Sequence, residues 1–155
     1  MNKMREIYRE IVAAVIISKD AKIFLGMKNP SKGGVYLDCW HIPGGGIDKG
    51  ENGEQTLARE IMEETGIDIK KYEIKLIDSE GTGAAEKTLK DTGEKVLCKM
   101  KFNVYEIKIA DRLASEIKIS LDDDLEKFVW SDVSELKNMK LTPPSEELFK
   151  RLGYL

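Results

Sequence analysis

The stretch from Gly44 to Ile67 restricts this chain more than any other part of it. Three consecutive glycines, Gly44 to Gly46, make a backbone hinge where missing side chains let the chain bend or approach a ligand closely. A helical pattern then runs from Glu54 to Thr65 and stops at Gly66, a natural C-terminal cap. On a wheel of about 100° per residue counted from Leu57, the residues Ile61, Thr65, Ala58 and Met62 fall within roughly 140°, the expected core face. Glu60, Glu63 and Glu64 fall at about 300°, 240° and 340°, a separate arc roughly 100° wide.

Three carboxylates on one arc repel one another, by about 0.2–0.5 kcal/mol per pair at helical spacing, so an isolated helix gains nothing from them. A hard divalent cation reverses that sign. Magnesium takes oxygen ligands, commonly one or two carboxylates together with substrate phosphates. Arg59 stands one turn before Glu63 and can reach back toward Glu51, so it is placed to fix carboxylate rotamers. An ordinary solvated face of glutamates is the other reading of the same arc. The glycine hinge before the helix and Arg59 within it weigh against that reading.

The remaining elements follow from shorter patterns. Ile11 to Ile17 is a β-branched run expected as a buried strand, Asp20 a turn residue, and Lys22 to Met27 the second strand of a hairpin. Asn29 to Gly34 carries loop signals. Alternation over Tyr72 to Ile77 predicts a strand, and Asp91 to Glu94 a turn leading into a longer strand, Lys95 to Ile107. Phe128 to Trp130 reads as a short buried strand followed by a brief helix capped by Ser131, and Thr142 with Pro143 and Pro144 opens the last helix. The fold class is α/β, a mixed β-sheet sandwiched between helices.

With 155 residues, 41% hydrophobic and 34% charged, the chain can build one core and coat it with charge, and 1–155 reads as one domain. Its longest apolar run, Ile11 to Ser18, falls far short of the roughly 18 residues of a membrane span, and the mixed charges of Met1 to Glu10 lead one to expect no secretory signal. The expectation is therefore a cytoplasmic protein with no membrane partner. A net charge of −3 with no basic stripe argues against a nucleic-acid partner. Cys39, Cys98 and the lone His41 do not make a zinc site, and the two cysteines read as reduced thiols rather than a disulfide.

The segment Gly45 to Ile67 resembles the Nudix box, G-x5-E-x7-R-E-U-x-E-E-x-G-U with U a bulky aliphatic residue. Gly45, Glu51, Arg59, Glu60, Ile61, Glu63, Glu64, Gly66 and Ile67 fill every specified position. Trp40-His41-Ile42-Pro43-Gly44-Gly45 is similar to the W-x-x-P-G-G approach of MutT-type members, and the segments around Phe128–Trp130 and Thr142–Pro144 resemble their C-terminal third. The resemblance implies the Nudix fold and a hydrolase acting on phosphoric anhydrides, a pyrophosphatase using magnesium or manganese on a small-molecule nucleotide. It implies Glu60, Glu64 and the Gly44 carbonyl as metal ligands, Glu63 as a ligand or the water-activating base, and Glu51 and Arg59 as residues that orient that shell. Asp124, six residues before Trp130, would complete the metal site, with Asp122, Asp123 and Glu126 as rivals and a plain acidic loop as the alternative.

The same resemblance suggests substrate-binding roles for Lys28, Trp40 and Glu146. Lys28 follows the second strand, where a cation near the nucleotide is expected, and an exposed loop lysine is the competing reading. Glu146 is placed to accept hydrogen bonds from a purine, or else is an acid favoured by the helix N-terminus. Trp40 and Tyr36 are either stacking partners for a base or, for Trp40, core. A proline expected about 16 residues beyond the box in ADP-ribose hydrolases is replaced by Gly81-Thr82-Gly83-Ala84. The favoured substrate is a nucleoside triphosphate, unmodified or oxidised, cleaved to monophosphate and pyrophosphate. The alternatives are hydrolysis of ADP-ribose or another nucleotide sugar, and a non-catalytic nucleotide-sensing module. A third rival is an isomerase related to isopentenyl diphosphate isomerase, for which Cys39 is not in the expected motif.

Overall fold

In the computed structural model, which describes residues 3–32, 36–122 and 124–155, the run Ile11–Ile17 lies inside a longer strand, β1 (Arg5–Ser18). Burial begins near Ile11, but pairing begins at Arg5. The charged first half hides a strand from any reading based on hydrophobicity. Its partner is β7 (Lys95–Ile109), parallel to it from Arg5 opposite Val96 to Ser18 opposite Ile109. A parallel pair cannot be closed by a tight turn, so the intervening chain supplies the rest of the sheet.

Those elements are β2 (Ile23–Lys28), β3 (Trp40–His41), β4 (Gly44–Gly46), the helix α1 (Gly53–Thr65), β5 (Ile74–Asp78) and β6 (Thr82–Thr88), followed after β7 by β8 (Leu125–Ser131) and the helix α2 (Pro143–Arg151). The main path of the sheet is β3-β2-β1-β7-β5, with β4 on β1, β6 on β7 and β8 on β2. Every pairing apart from β1–β7 is antiparallel. The sheet is mixed, as expected.

Alternation along β1 builds a core on each face. Val12, Ala14 and Ile16 pack with Leu57 and Ile61 of α1, while Val15 packs with Ile23, Leu25 and the α2 residues Leu148 and Phe149. The sheet is thus held between α1 and α2, each fully buried aliphatic or aromatic side chain contributing about 1.5–3 kcal/mol. Asn52 caps α1 in a capping box with Gln55, and Gly66 closes it in the left-handed conformation at φ 77°. Thr142 caps α2 through the Ser145 N–H, with Pro143 in the first turn.

Several expectations need correction. β6 was not anticipated, because its small, polar alternation lacks bulky residues. The strand expected from Tyr72 starts at Ile74. The helix expected after Ser131 is a 3₁₀ turn, Val133–Asn138, with Asp132 at the cap position, and Ser131 ends β8 instead. The glycine hinge is a strand, β4, paired to Ile11–Ala13. Pro30–Lys32 forms a 3₁₀ turn, while Gly33 and Gly34 of the expected loop lie outside the described residues. Cys39 and Cys98 are both free and buried. Among the described residues no helix is long and apolar enough to cross a membrane.

Candidate active site

The site begins with the contact between β4 and α1. A Cβ on Gly44 would collide with the Val12 carbonyl and Ala13 of β1, and one on Gly45 would fall 2.5–2.8 Å from the carboxylate atoms of Glu60. Glycine lets the strand lie against its neighbour and lets the Glu60 carboxylate lie against the strand. Gly44 faces Ala13, and the Ala14 N–H reaches the Pro43 carbonyl instead, so Gly44 stands at a position of the ladder where its N–H and C=O point away from β1. Its N–H donates to Glu64 Oε1 at 3.1 Å.

Glu64 is buried, at 6% exposure, whereas Met62, expected on the core face, is 45% exposed. At about 340° on the wheel Glu64 lies only about 20° from Leu57, near the mean direction of the residues actually buried, Thr56, Leu57, Ile61, Glu64 and Thr65, whereas Met62 at about 140° lies well off it. Residue type had hidden what position declared. Burial, reinforced by the charge of Glu60, pushes the Glu64 carboxyl up to about 8. Burial raises Glu60 too, opposed by Arg59.

Arg59 gathers the rest of the acidic set. Its Nε and Nη2 donate to the two oxygens of Glu51, both at 2.9 Å, and Nη2 also reaches Asp48 Oδ2 at 3.0 Å. Nη1 donates to Glu60 Oε1 at 3.2 Å and Glu63 Oε2 at 3.3 Å. Thr56 Oγ1 donates to Glu51 at 3.1 Å, fixing its rotamer. The hydrogen bonds from Arg59 hold Glu51 below the usual carboxylate range, and Arg59 itself is raised. Asp48 was not anticipated in this cluster. An acid in the link between the glycines and α1 was its only sequence signal.

A second group approaches from β2, β3 and the turn before β8. The charge of Asp124 raises Glu60 and Glu64, and the charge of Lys28 lowers Glu64, so both act on the buried carboxylates. Lys28 stands just past a register shift between β2 and β8, and the Asn29 N–H donates to the Asp124 carbonyl at 3.0 Å. His41, set aside when a zinc site was excluded, belongs here as well. Its Nδ1 lies 2.9 Å from the Ile42 carbonyl, which can only accept, so Nδ1 carries the proton. Nε2 is buried without a partner among the described residues, and burial lowers its pKa. Of the rivals to Asp124, Asp123 lies outside the described residues.

The other expected residues stand elsewhere. Trp40 is half-buried and packs against the core on the α2 face, its strand bridged to Leu141. Tyr36 is exposed at 45%. Glu146 sits in the first turn of α2 and pairs with Lys150 at 3.6 Å. Among the described residues no hydrogen bond or ion pair joins Glu146 to the box glutamates.

The family model of the NUDIX domain matches residues 7–152. The chain belongs to that family. Over short aligned stretches this Nudix domain is 34% identical to an RNA pyrophosphohydrolase of Dinoroseobacter shibae (43% of this chain, 39% of the relative) and 38% identical to one of Cereibacter sphaeroides (43% and 38%). The matched stretch thus spans about two fifths of the length of these curated relatives. Among solved structures it is similar in fold to a MutT protein from Methanosarcina mazei, with a TM-score of 0.71 and 20% identity over 97% of this chain and 96% of that one. It is also similar in fold to the NUDIX domain of Shewanella oneidensis NrtR complexed with ADP ribose, with a TM-score of 0.66 and 17% identity over 99% and 88%.

The donor chemistry of this Nudix domain suits a hard divalent cation. The carboxylates of Glu60, Glu63, Glu64 and Asp124 and the off-ladder carbonyl of Gly44 are all oxygen donors, the preference of magnesium and manganese. A buried carboxylate held against a neighbouring one is costly unless a cation joins them. Among the described residues no three such side chains converge into a finished cage. Arg59 accounts for that, since it draws Glu60 and Glu63 toward itself.

Proposed function

We propose that this chain is a magnesium- or manganese-dependent pyrophosphohydrolase that cleaves a nucleoside triphosphate, unmodified or oxidised, to the monophosphate and pyrophosphate. The observation that carries the reading is the buried Glu64 beside Glu60 against glycine backbone, in a site where Asp48, Glu51, Glu60, Glu63, Glu64 and Asp124 face Arg59 and Lys28. A wall so acidic repels a polyphosphate on its own, so the arrangement has use only with divalent ions between wall and substrate. In this reading Glu60, Glu64, the Gly44 carbonyl and Asp124 hold the metal. Bound there, it neutralises phosphate oxygens and lowers the pKa of a coordinated water.

The chain's own groups then divide the work. Glu63, more than half exposed and held by Arg59 only at 3.3 Å, is free to leave the guanidinium and take the proton from the attacking water. The water oxygen bonds to phosphorus as the bridging bond between the α and β phosphoryl groups breaks, and pyrophosphate leaves. Arg59, fixed by Glu51 and Asp48, orients Glu60 and Glu63. Lys28, whose charge acts on Glu64, offsets charge on the nucleotide.

The names of the curated relatives favour a second reading, in which the same anhydride is presented by the triphosphorylated 5′ end of an RNA. One panel separates the two. The protein is incubated with magnesium and a set of nucleoside triphosphates, ADP-ribose and a 5′-triphosphate oligoribonucleotide; nucleotide products are resolved by chromatography, and phosphate is assayed with and without inorganic pyrophosphatase. Triphosphate hydrolysis yields phosphate only with the added enzyme. Turnover of the oligonucleotide alone favours the second reading, and turnover of ADP-ribose alone overturns both. No turnover of any compound identifies a sensor.

A further inference from the structure

At the far end of α1 from its N-cap, a cavity of about 440 Å³ opens between the helix terminus, the segment before β5 and the segment after β7. It starts at Gly66, so it lies just beyond the acidic site in sequence, yet cations outnumber acids in its lining, where Asp68 is the one carboxylate. Lys71, Arg112 and Lys118 line it, brought from separate parts of the chain. Ile67, Ile109, Ile117 and Tyr72 line the same space with apolar and aromatic surface.

The acids around this cavity already have partners. Asp68 accepts the Lys70 N–H at 3.0 Å, Asp111 accepts the Tyr72 hydroxyl at 2.8 Å, and Asp20 accepts the Ala114 N–H at 2.9 Å. The cations do not. Among the described residues none of Lys71, Arg112 and Lys118 forms an ion pair, and Lys71 instead stands 5.3 Å from the centre of the Tyr72 ring. The C-terminus of a helix carries roughly half a negative charge, which accounts for one neighbouring cation and not three. The terminal carbonyls of α1 are in part occupied, since the Gly66 N–H takes Met62 O and the Ser120 N–H takes Thr65 O at 2.9 Å.

We infer that this cavity is a second binding site, separate from the hydrolytic one, for a phosphate monoester with an apolar or aromatic body, of the size of a nucleoside monophosphate. Its volume lies in the range of small-ligand sites. The three cations meet the phosphate, with Arg112 offering a planar fork of donors. Tyr72 and the isoleucines cover the organic part. The inference does not depend on the substrate of the acidic site.

The test is binding of AMP to the whole protein in excess EDTA, where the acidic site has no divalent ion with which to hold a phosphate. Heat of binding and the amide NMR signals of Lys71, Arg112 and Lys118 are followed, with inorganic phosphate and adenosine as controls. The expected result is saturable AMP binding, about tenfold tighter than inorganic phosphate, with no saturation by adenosine. The double variant Arg112→Glu with Lys118→Glu, at exposed positions, should weaken AMP at least tenfold while leaving magnesium-dependent hydrolysis within twofold. AMP binding that does not saturate, or that is unchanged in the double variant, overturns the inference. So does AMP binding in EDTA that is lost in Glu64→Gln, because that would place the ligand in the hydrolytic site.

Discussion

Two arginines in this molecule keep opposite company. Arg151 at the end of α2 meets one acid, Asp78, through Nε at 3.0 Å and Nη2 at 2.9 Å, and the Asp78 side chain is only 6% exposed. The charges match, the fork is filled, and the pair ties α2 to β5. Arg59 faces Asp48, Glu51, Glu60 and Glu63 at once. One positive charge cannot neutralise four negative ones, so a surplus of negative charge remains around Arg59. The first arrangement serves stability, and the second suits the divalent cations of the proposed function.

The largest expected effect tests the acidic side. Glu64→Gln should lower turnover by several orders of magnitude while circular dichroism and melting stay those of a folded protein. Its stability should also reveal the burial of charge. In metal-free protein the folded state keeps a proton on Glu64 up to about pH 8, while the unfolded chain loses it near the ordinary value of 4.5. Stability of the parent therefore falls as pH rises through that window. The glutamine variant should show a shallower fall in melting temperature between pH 5 and 8, to the order of the shift given. Equal slopes would remove Glu64 from the buried, strained position assigned to it.

Arg59→Met comes next, with turnover reduced about 10- to 100-fold, the usual range for residues that orient metal ligands. Added magnesium should raise its melting temperature at least as much as that of the parent, because Glu60 and Glu63 lose their competitor. Gly45→Ala should cost about tenfold in turnover with little change in melting, since the three atoms nearest the new methyl group all belong to the Glu60 carboxylate. Arg151→Ala should leave turnover within twofold and destabilise by about 3 kcal/mol in denaturant titrations, because Asp78 stays buried without its partner. Arg151 holds the Asp78 carboxyl below its ordinary value. That stabilisation is present above the ordinary value and is lost as pH falls through the lowered one, so the parent should lose more stability in acid than the variant.

The sequence was most legible where chemistry and spacing coincide. The arc of Glu60, Glu63 and Glu64, the reach of Arg59 to Glu51 and the stop at Gly66 all depend on distances along one helix, and all stand in the structure. Asp48 and His41 escape a reading of spacing because their partners come from elsewhere, Asp48 through a guanidinium nearly two helix turns into α1 and His41 through the turns around Lys28 and Asp124. The first half of β1 and all of β6 were missed for a related reason. Their residues are exposed on at least one face, so backbone pairing with β7, rather than side-chain burial, holds them in place. Non-local pairing leaves no periodic trace in either partner.

The parallel register of β1 on β7 also governs how the chain reaches this state. Arg5 waits for Val96 and Ser18 for Ile109, so β1 lacks its longest neighbour until the chain has been made as far as Ile109. Until then its β-branched segment offers an unpaired edge to any other chain. Folding of this topology belongs to the slow, millisecond-to-second regime set by distant contacts. The order of synthesis therefore leaves β1 in need of shelter until β7 has been made.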